Sequence, residues 1–313
     1  MMIREGGRLL TVTGIDRPAR DIVSLQLADP AGDPLPEWEP GAHIDVQLIT
    51  RHLRQYSLCG SPADRSSYRI AVLKERLSRG ASAYMHSYLR VGKQVRVWEP
   101  RNHFVLRPAE RYVFLAAGVG ITPILPMVKR ARDAGIPWKL AYSVRTLEEA
   151  AFRDELAELG EAVTLQATST EGRLDVREYV GPFEDGTGVY CCGSPGFVEA
   201  AEEAVAGWPA GAFHVERFLP VPRDFGPSEP FEAVCARSGL RVPVDAGVSL
   251  LTALRREGVR VAGGCLKGVC GSCAVTVLDG VPQHRDSLLN ADTADRMHAC
   301  VSRAATPEIV LDI

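Results

Sequence analysis

A chain of 313 residues, 46% apolar and 24% charged, has material for two or three packed domains with a well-solvated surface. A net charge of −3 excludes both the cationic footprint of a nucleic-acid binder and a polyanionic tail. The longest uncharged run, residues 112–128, is too short to cross a bilayer and is broken by Gly118, Gly120, Pro123 and Pro126. The first residues are polar, so a soluble cytoplasmic protein is expected.

Residues 1–108 alternate apolar and polar side chains. Residues 44–48 and 68–72 read as half-buried antiparallel strands, and turn clusters at 29–34 and 60–64 separate them, which predicts a small β-barrel. Within it, residues 54–58 read Arg-Gln-Tyr-Ser-Leu. An extended strand sends Arg54 and Tyr56 to one side and Ser57 to the other. A flavin needs such parts: a guanidinium for its phosphate, an aromatic ring against its heterocycle and a small hydroxyl at its reactive edge. An edge strand with one exposed Arg and a core Tyr has the same pattern. Downstream, Arg79-Gly80-Ala81-Ser82 precedes a short helix predicted over 83–89. Ser82 is expected to cap it, and its free N–H groups would meet the same phosphate. An ordinary N-cap is the plainer reading.

Residues 109–222 alternate strands with helices, which predicts a parallel, doubly wound sheet. The strands are expected at 113–117, 140–144, 163–166 and 188–192. Helices are expected at 123–134 and 147–159, the second with Phe152, Leu156 and Leu159 on one face. The first strand runs into Gly118-Val119-Gly120-Ile121-Thr122-Pro123, and the last into Cys192-Gly193-Ser194-Pro195-Gly196. Each joins a glycine turn to a helix N-terminus, and side by side they would form a crevice for a pyrophosphate. The plain reading of Cys192 is a buried thiol at a strand end.

Residues 219–230 hold four prolines in twelve, a semi-rigid linker. Beyond it a hairpin is predicted within 231–245 and a helix at 249–257 with Leu250, Leu251 and Leu254 inward. Then Cys265, Cys270, Cys273 and Cys300 follow the spacing C-x4-C-x2-C and a long gap, that of a plant-type [2Fe-2S] ferredoxin. Gly263, Gly264, Gly268, Gly271 and Ser272 keep the loop bare, so amide dipoles can approach the cluster sulfurs. Zinc ribbons usually use two C-x2-C knuckles, and a disulfide framework suits a small secreted chain; neither pattern is met. Cys59, Cys191, Cys192 and Cys235 are expected as reduced, buried thiols. His43, His52, His103, His214, His284 and His298 show no metal spacing, and nothing suggests hydrolysis.

Together these strings resemble the phthalate dioxygenase reductase family, which includes vanillate demethylase reductase subunits. They are R-Q-Y-S-L, G-V-G-I-T-P, Y-C-C-G-S-P, H-V-E-R-F at 214–218, and C-L-K-G-V-C-G-S-C with V-P-Q-H-R-D-S-L-L and C-V-S-R-A following. The resemblance covers essentially the whole chain. It implies an antiparallel β-barrel flavin domain at 1–108, a doubly wound parallel α/β NAD-binding domain at 109–222, and a β-grasp ferredoxin domain at 223–313. FMN, rather than FAD, would be surrounded by Arg54, Tyr56, Ser57, Lys74, Gly80 and Ser82. Gly118, Gly120, Thr122, Cys192 and Gly193 would bind the nicotinamide cofactor, usually NADH, with Cys192 near its ring. Glu216 and Phe218 would reach the flavin, which makes Ser57, Cys192, Glu216 and Phe218 the expected catalytic set. Ala81 departs from the family's Gly-Gly pair before the phosphate serine. Arg145, just past a strand, stands where the 2′-phosphate of NADPH would be met.

The implied activity is that of an oxidoreductase. Electrons would pass from NADH through FMN and a [2Fe-2S] cluster, singly, to a Rieske oxygenase or a cytochrome P450. A monomer is expected, with no nucleic-acid or membrane partner. Two rivals stand beside it. The electron-transfer subunit of dihydroorotate dehydrogenase has a shorter final gap than the 26 residues between Cys273 and Cys300. A non-catalytic redox-sensing or zinc-stabilised interaction protein is the other. Residues 223–313 carry 10 Lys and Arg against 11 Asp and Glu, so an acceptor is expected to dock with modest salt dependence.

Overall fold

A computed structural model describes residues 6–48, 53–75, 80–288 and 295–313. The chain divides into two compact units, Met1–Glu216 and Arg217–Ile313. In the first, seven antiparallel strands form one sheet: β1 (Arg8–Ala19), β2 (Ile22–Ala28), β3 (Ala42–Gln47), β4 (Leu53–Ser57), β5 (Ser67–Leu73), β6 (Gln94–Val97) and β7 (Arg101–Asn102). Their order is β4-β3-β6-β1-β2-β5, with β7 beside β3. An antiparallel bridge between Leu58 and Ile70 joins the two ends of that row. Period-two alternation does the sorting: Leu10 and Val12, Ile44 and Val46, and Tyr68, Ile70 and Val72 all turn into one apolar core. The helix α1 (Ala81–Ser87) closes over that core with Ala81 and Met85. It starts two residues before the predicted 83–89, so Ser82 lies inside the helix and Gly80 occupies the N-cap.

The same unit holds a parallel sheet of β8 (Arg111–Ala117), β9 (Trp138–Val144), β10 (Val163–Ala167), β11 (Thr187–Cys192) and β12 (Phe213–Glu216). Their order, β10-β9-β8-β11-β12, reverses direction between β8 and β11. Helices cover both faces, as a parallel sheet requires. The helix α2 (Ile121–Asp133) packs on one face, which also receives Ile22, Cys59, Ala71 and Phe104 from the barrel segment. The helices α5 (Val176–Val180) and α6 (Pro195–Ala204) lie on the other.

A helix over 147–159 does not form. A short 3-10 turn, Leu147–Glu149, is followed by Phe152 at φ 59° and then α3 (Arg153–Ala157). The left-handed turn breaks the helix, yet Phe152, Leu156 and Leu159 are all buried as their spacing predicts. The short α4 (Thr168–Glu171) follows β10.

The second unit holds β13 (Phe231–Cys235), β14 (Leu240–Val244), α7 (Leu250–Arg256), β15 (Ala274–Asp279), β17 (Arg296–His298) and β19 (Glu308–Leu311). The strand order is β14-β13-β19-β15-β17, and β16 (Pro282–Gln283) pairs separately with β18 (Arg303–Ala304). Ser249 caps α7 by accepting from the Thr252 amide at 3.2 Å. Leu250, Leu251 and Leu254 fill the core against β13 and β19, with Cys273 and Cys300 at its margin. No described helix is long and apolar enough to cross a membrane.

One ion cluster ties the barrel to the parallel sheet. Glu155 on α3 accepts from Arg69 of β5 at 2.7 and 3.0 Å and from Lys129 of α2. Arg69 also donates to the Cys59 carbonyl and stacks over the Phe152 ring, 4.8 Å from its centroid. Burial alone would raise the Glu155 carboxyl; the bonds from Arg69 and Lys129 outweigh it and lower the pKa. Glu155→Ala would leave two cations without their anion. The first unit should then lose about 1–3 kcal/mol, read as an earlier unfolding midpoint in denaturant. An unchanged midpoint would refute this account.

Candidate functional site

The predicted flavin strand is β4. Its register sets Arg54 opposite Val46, Tyr56 opposite Ile44 and Ser57 opposite His43. Tyr56 packs its ring on the barrel core, and burial pushes its phenol above the ordinary range, with the Arg54 charge opposing the rise and the Glu75 charge adding to it. Arg54 donates to the Leu53 carbonyl at 2.8 Å. Lys74 is exposed just past β5, its amide held by the Asp21 carbonyl. Ser82 is buried and its hydroxyl accepts from the Glu75 amide at 3.3 Å, so it staples the loop rather than capping α1. Gly80 sits at φ 107°, a conformation that side-chain-bearing residues rarely adopt. Arg79, in the same predicted loop, lies outside the described residues.

The two glycine turns of the parallel sheet do lie side by side. A Cβ on Gly120 would fall 2.2 Å from the Cys192 carbonyl oxygen, so only glycine allows the two turns to touch. Gly118–Gly120 forms a 3-10 turn that runs straight into α2, and Thr122 donates back to the Val119 carbonyl at 2.9 Å. Gly193 packs against Ala117 of β8. This is the topological switch point between β8 and β11, where open α/β sheets bind ligands. Arg145 is exposed at the end of β9, its carbonyl bonded by the Ser169 amide.

Cys192 pairs in register with Glu216 on β12, and Ser57 donates to Glu216 Oε2 at 3.3 Å. Ser57, Glu216 and Cys192 are therefore brought together at the seam of barrel and sheet. Cys192 is fully buried; burial, and then the Glu216 charge, push its thiol far above the usual range. Burial raises the Glu216 carboxyl to about 8 in spite of the Ser57 bond. Phe218 falls in the second unit, 36% exposed, and is described with it.

Sequence reasoning missed the other side chains of this seam. His43, opposite Ser57, is buried and neutral; burial, followed by Arg101 and His103, lowers its pKa to about 3. Its Nε2 and the Gln55 Nε2 have no hydrogen-bond partner among the described residues. Two residues on, the fully buried Asp45 carboxylate receives Arg101 at 2.9 Å on both oxygens. The alternation His43, Asp45 on β3 was the available signal, since both must share the face of Ser57.

In the second unit the four predicted cysteines converge. Contacts link Cys270 to Cys265, Cys265 to Cys300 and Cys300 to Cys273. No three described His, Cys, Asp or Glu side chains surround a single ion position. The four thiols form one continuous chain of contacts, a donor set that fits two irons sharing four thiolates. Main-chain N–H groups of Lys267 and Val269 face the Cys265 sulfur, the first at 3.3 Å. Ser272 accepts from the Gly264 amide at 2.8 Å and lies 3.1 Å from the Cys270 sulfur. Leu266, at φ 58°, is turned outward and 51% exposed.

A family model described as the 2Fe-2S iron-sulfur cluster binding domain matches residues 234–305. The phenoxybenzoate dioxygenase subunit beta of Ectopseudomonas oleovorans is 41% identical over 312 residues, covering 97% of each chain. The phthalate dioxygenase reductase of Burkholderia cepacia is 34% identical, covering 99% of this chain and 98% of that one. An intact type IV self-sufficient cytochrome P450 monooxygenase superposes with a TM-score of 0.92 at 40% identity. The match takes in 98% of this chain and 41% of that one, so this chain spans about two fifths of the P450 polypeptide.

Glu216 gives a signed pH test. A carboxyl whose folded pKa is raised binds its proton more tightly when folded. Stability is then full below the ordinary carboxylate range and is lost as pH climbs toward 8. Between pH 5 and 8 the wild-type chain should lose roughly 2–4 kcal/mol that the Glu216→Gln chain keeps. Parallel pH profiles of thermal unfolding for the two proteins would refute the assignment. With 34% identity to the Burkholderia cepacia reductase over nearly the whole of both chains, and a cluster-binding segment matched at 234–305, the chain belongs to the phthalate dioxygenase reductase family.

Proposed function

We propose that this oxidoreductase takes electrons from NADH, through FMN and a [2Fe-2S] cluster, and delivers them singly to an oxygenase. The observation that carries the reading is the bond from Ser57 on the flavin strand to Glu216, in register with Cys192 at the switch point. It joins the two predicted cofactor strands at one place. When bound, the flavin supplies the exchange between the two-electron chemistry of nicotinamide and the one-electron chemistry of the cluster.

The chain's own residues do the placing. Arg54, Lys74, Gly80 and Ser82 are assigned to the FMN phosphate, Tyr56 to its ring system. Gly118, Gly120, Thr122 and Gly193 offer backbone and hydroxyl groups to the dinucleotide beside the N-terminus of α2. Ser57 and Cys192 hold the two reacting rings in place, and Glu216 keeps a proton on its carboxyl at neutral pH beside the Ser57 hydroxyl. Phe218 is assigned to stack on the flavin. Cys265, Cys270, Cys273 and Cys300 are the cluster ligands.

FMN rather than FAD follows from the domain order typical of this family, and NADH from its usual donor. Arg145 is the residue that would accept NADPH. For the acceptor, the names of the relatives point to an oxygenase, either a Rieske-type dioxygenase or a cytochrome P450. A cytoplasmic monomer is part of the same proposal.

Cys273→Ser separates the two halves of the path. It should leave NADH-dependent ferricyanide reduction within about twofold of wild type and abolish cytochrome c reduction. Equal loss of both activities would contradict electron exit through the cluster.

A further inference from the structure

The proline-rich segment read as a semi-rigid linker is fastened to the rest of the second unit. The Val221 amide donates to Ser287 Oγ at 2.9 Å, and Arg223 Nη1 donates to the Asp286 carbonyl at 3.3 Å. Farther on, Arg285 donates to Ser228 Oγ at 3.0 Å and lies over the Phe225 ring, 5.0 Å from its centroid. Arg303 donates to the Glu229 carbonyl at 2.9 Å. A segment joining two units needs none of these bonds in order to connect them.

The other side of the same fastening is the cysteine loop. The Ser287 amide donates to the Gly268 carbonyl at 2.8 Å. A Cβ on Gly268 would fall 2.9 Å from Asp286 Cα and 2.6 Å from Val301 Cγ2, so the loop backbone is pressed directly onto residues 286 and 301. The peptide group whose carbonyl Ser287 holds carries the Val269 N–H on its other side, and that N–H faces the Cys265 sulfur. Ser287 thus holds the joining segment with its hydroxyl and the cysteine loop with its amide. The buried Asp286 beside it fixes the turn by accepting from the Leu288 amide at 3.1 Å and from Ser302 Oγ at 3.3 Å.

We infer that Ser287 is a positioning residue through which the joining segment sets how readily the cluster is reduced. The inference rests on the cluster residing on the four cysteines as proposed above. Hydrogen bonds to cluster and ligand sulfurs govern the reduction potential of such centres, because they stabilise the added negative charge. Tension on Val221 would be passed by Ser287 to the Gly268 carbonyl, and the Val269 N–H of that same peptide group would turn with it. The path involves no bond breaking and no titration, only the orientation of one peptide group.

The test uses the full-length holoprotein. Ser287→Ala removes the acceptor for the Val221 amide and leaves the Ser287 amide in place. Val221→Pro removes the donor from the other side in a segment already extended between prolines. A reductive titration followed by low-temperature EPR reads the result. At the poise that half-reduces the wild type, each variant should show a reduced-to-oxidised ratio lower by about threefold or more. The double variant should add nothing further, and Ser287→Thr should restore the wild-type ratio. NADH–ferricyanide turnover should not change. Wild-type ratios and g values in Ser287→Ala overturn the inference, and so does a shift that Val221→Pro fails to reproduce. If the wild type itself gives no diiron signal, the cluster assignment fails first, by an observation separate from these.

Discussion

The hydrogen bond from Ser57 to Glu216 spans two sheets built on different rules. The barrel strand β4 is half-buried and alternating, so its register decides which side chains face outward. The parallel strands β11 and β12 belong to a sheet covered on both faces, and their register decides what stands beside Cys192. A slip of one residue in β4 would withdraw Ser57 from the seam and present Tyr56 or Leu58 instead. The ion cluster of Arg69, Glu155 and Lys129 secures the same relation from another side, and it needs no ligand to do so.

The half-buried Glu216 carboxyl sits in surroundings that disfavour its charge. A carboxyl that served only the fold would gain from a cation partner, as Asp45 does from Arg101. Glu216 has a serine hydroxyl and a thiol for neighbours, and its pKa rises accordingly. His43, across the strand from Ser57, is likewise held in its neutral form. Beside the Asp45–Arg101 ion pair, the seam thus holds two groups, His43 and Glu216, whose charged forms are disfavoured by their surroundings.

Much of this was legible from sequence where the chemistry is local. Three of the four candidate cluster cysteines are close in sequence, as a single loop around a small inorganic body would require, and the glycine turns announce themselves because close backbone approach admits nothing larger. The break at Phe152 was not legible. Spacing reports which residues share a buried face, and Phe152, Leu156 and Leu159 do share one, but it does not report that the backbone must reverse to deliver them. Ser82 as a cap failed because the helix starts earlier, with a left-handed glycine at its head. The fastened linker was invisible for a different reason: prolines state what a segment cannot do, while its partners at 285–287 and 303 lie some sixty to eighty residues away.

The place of β19 within its sheet carries a consequence for biogenesis. It runs parallel to β13 and antiparallel to β15, so the strands on either side of it meet only through it. During synthesis the cysteine loop leaves the ribosome before that keystone exists. The core that holds Cys273 and Cys300 therefore closes only when the last strand of the unit is in place.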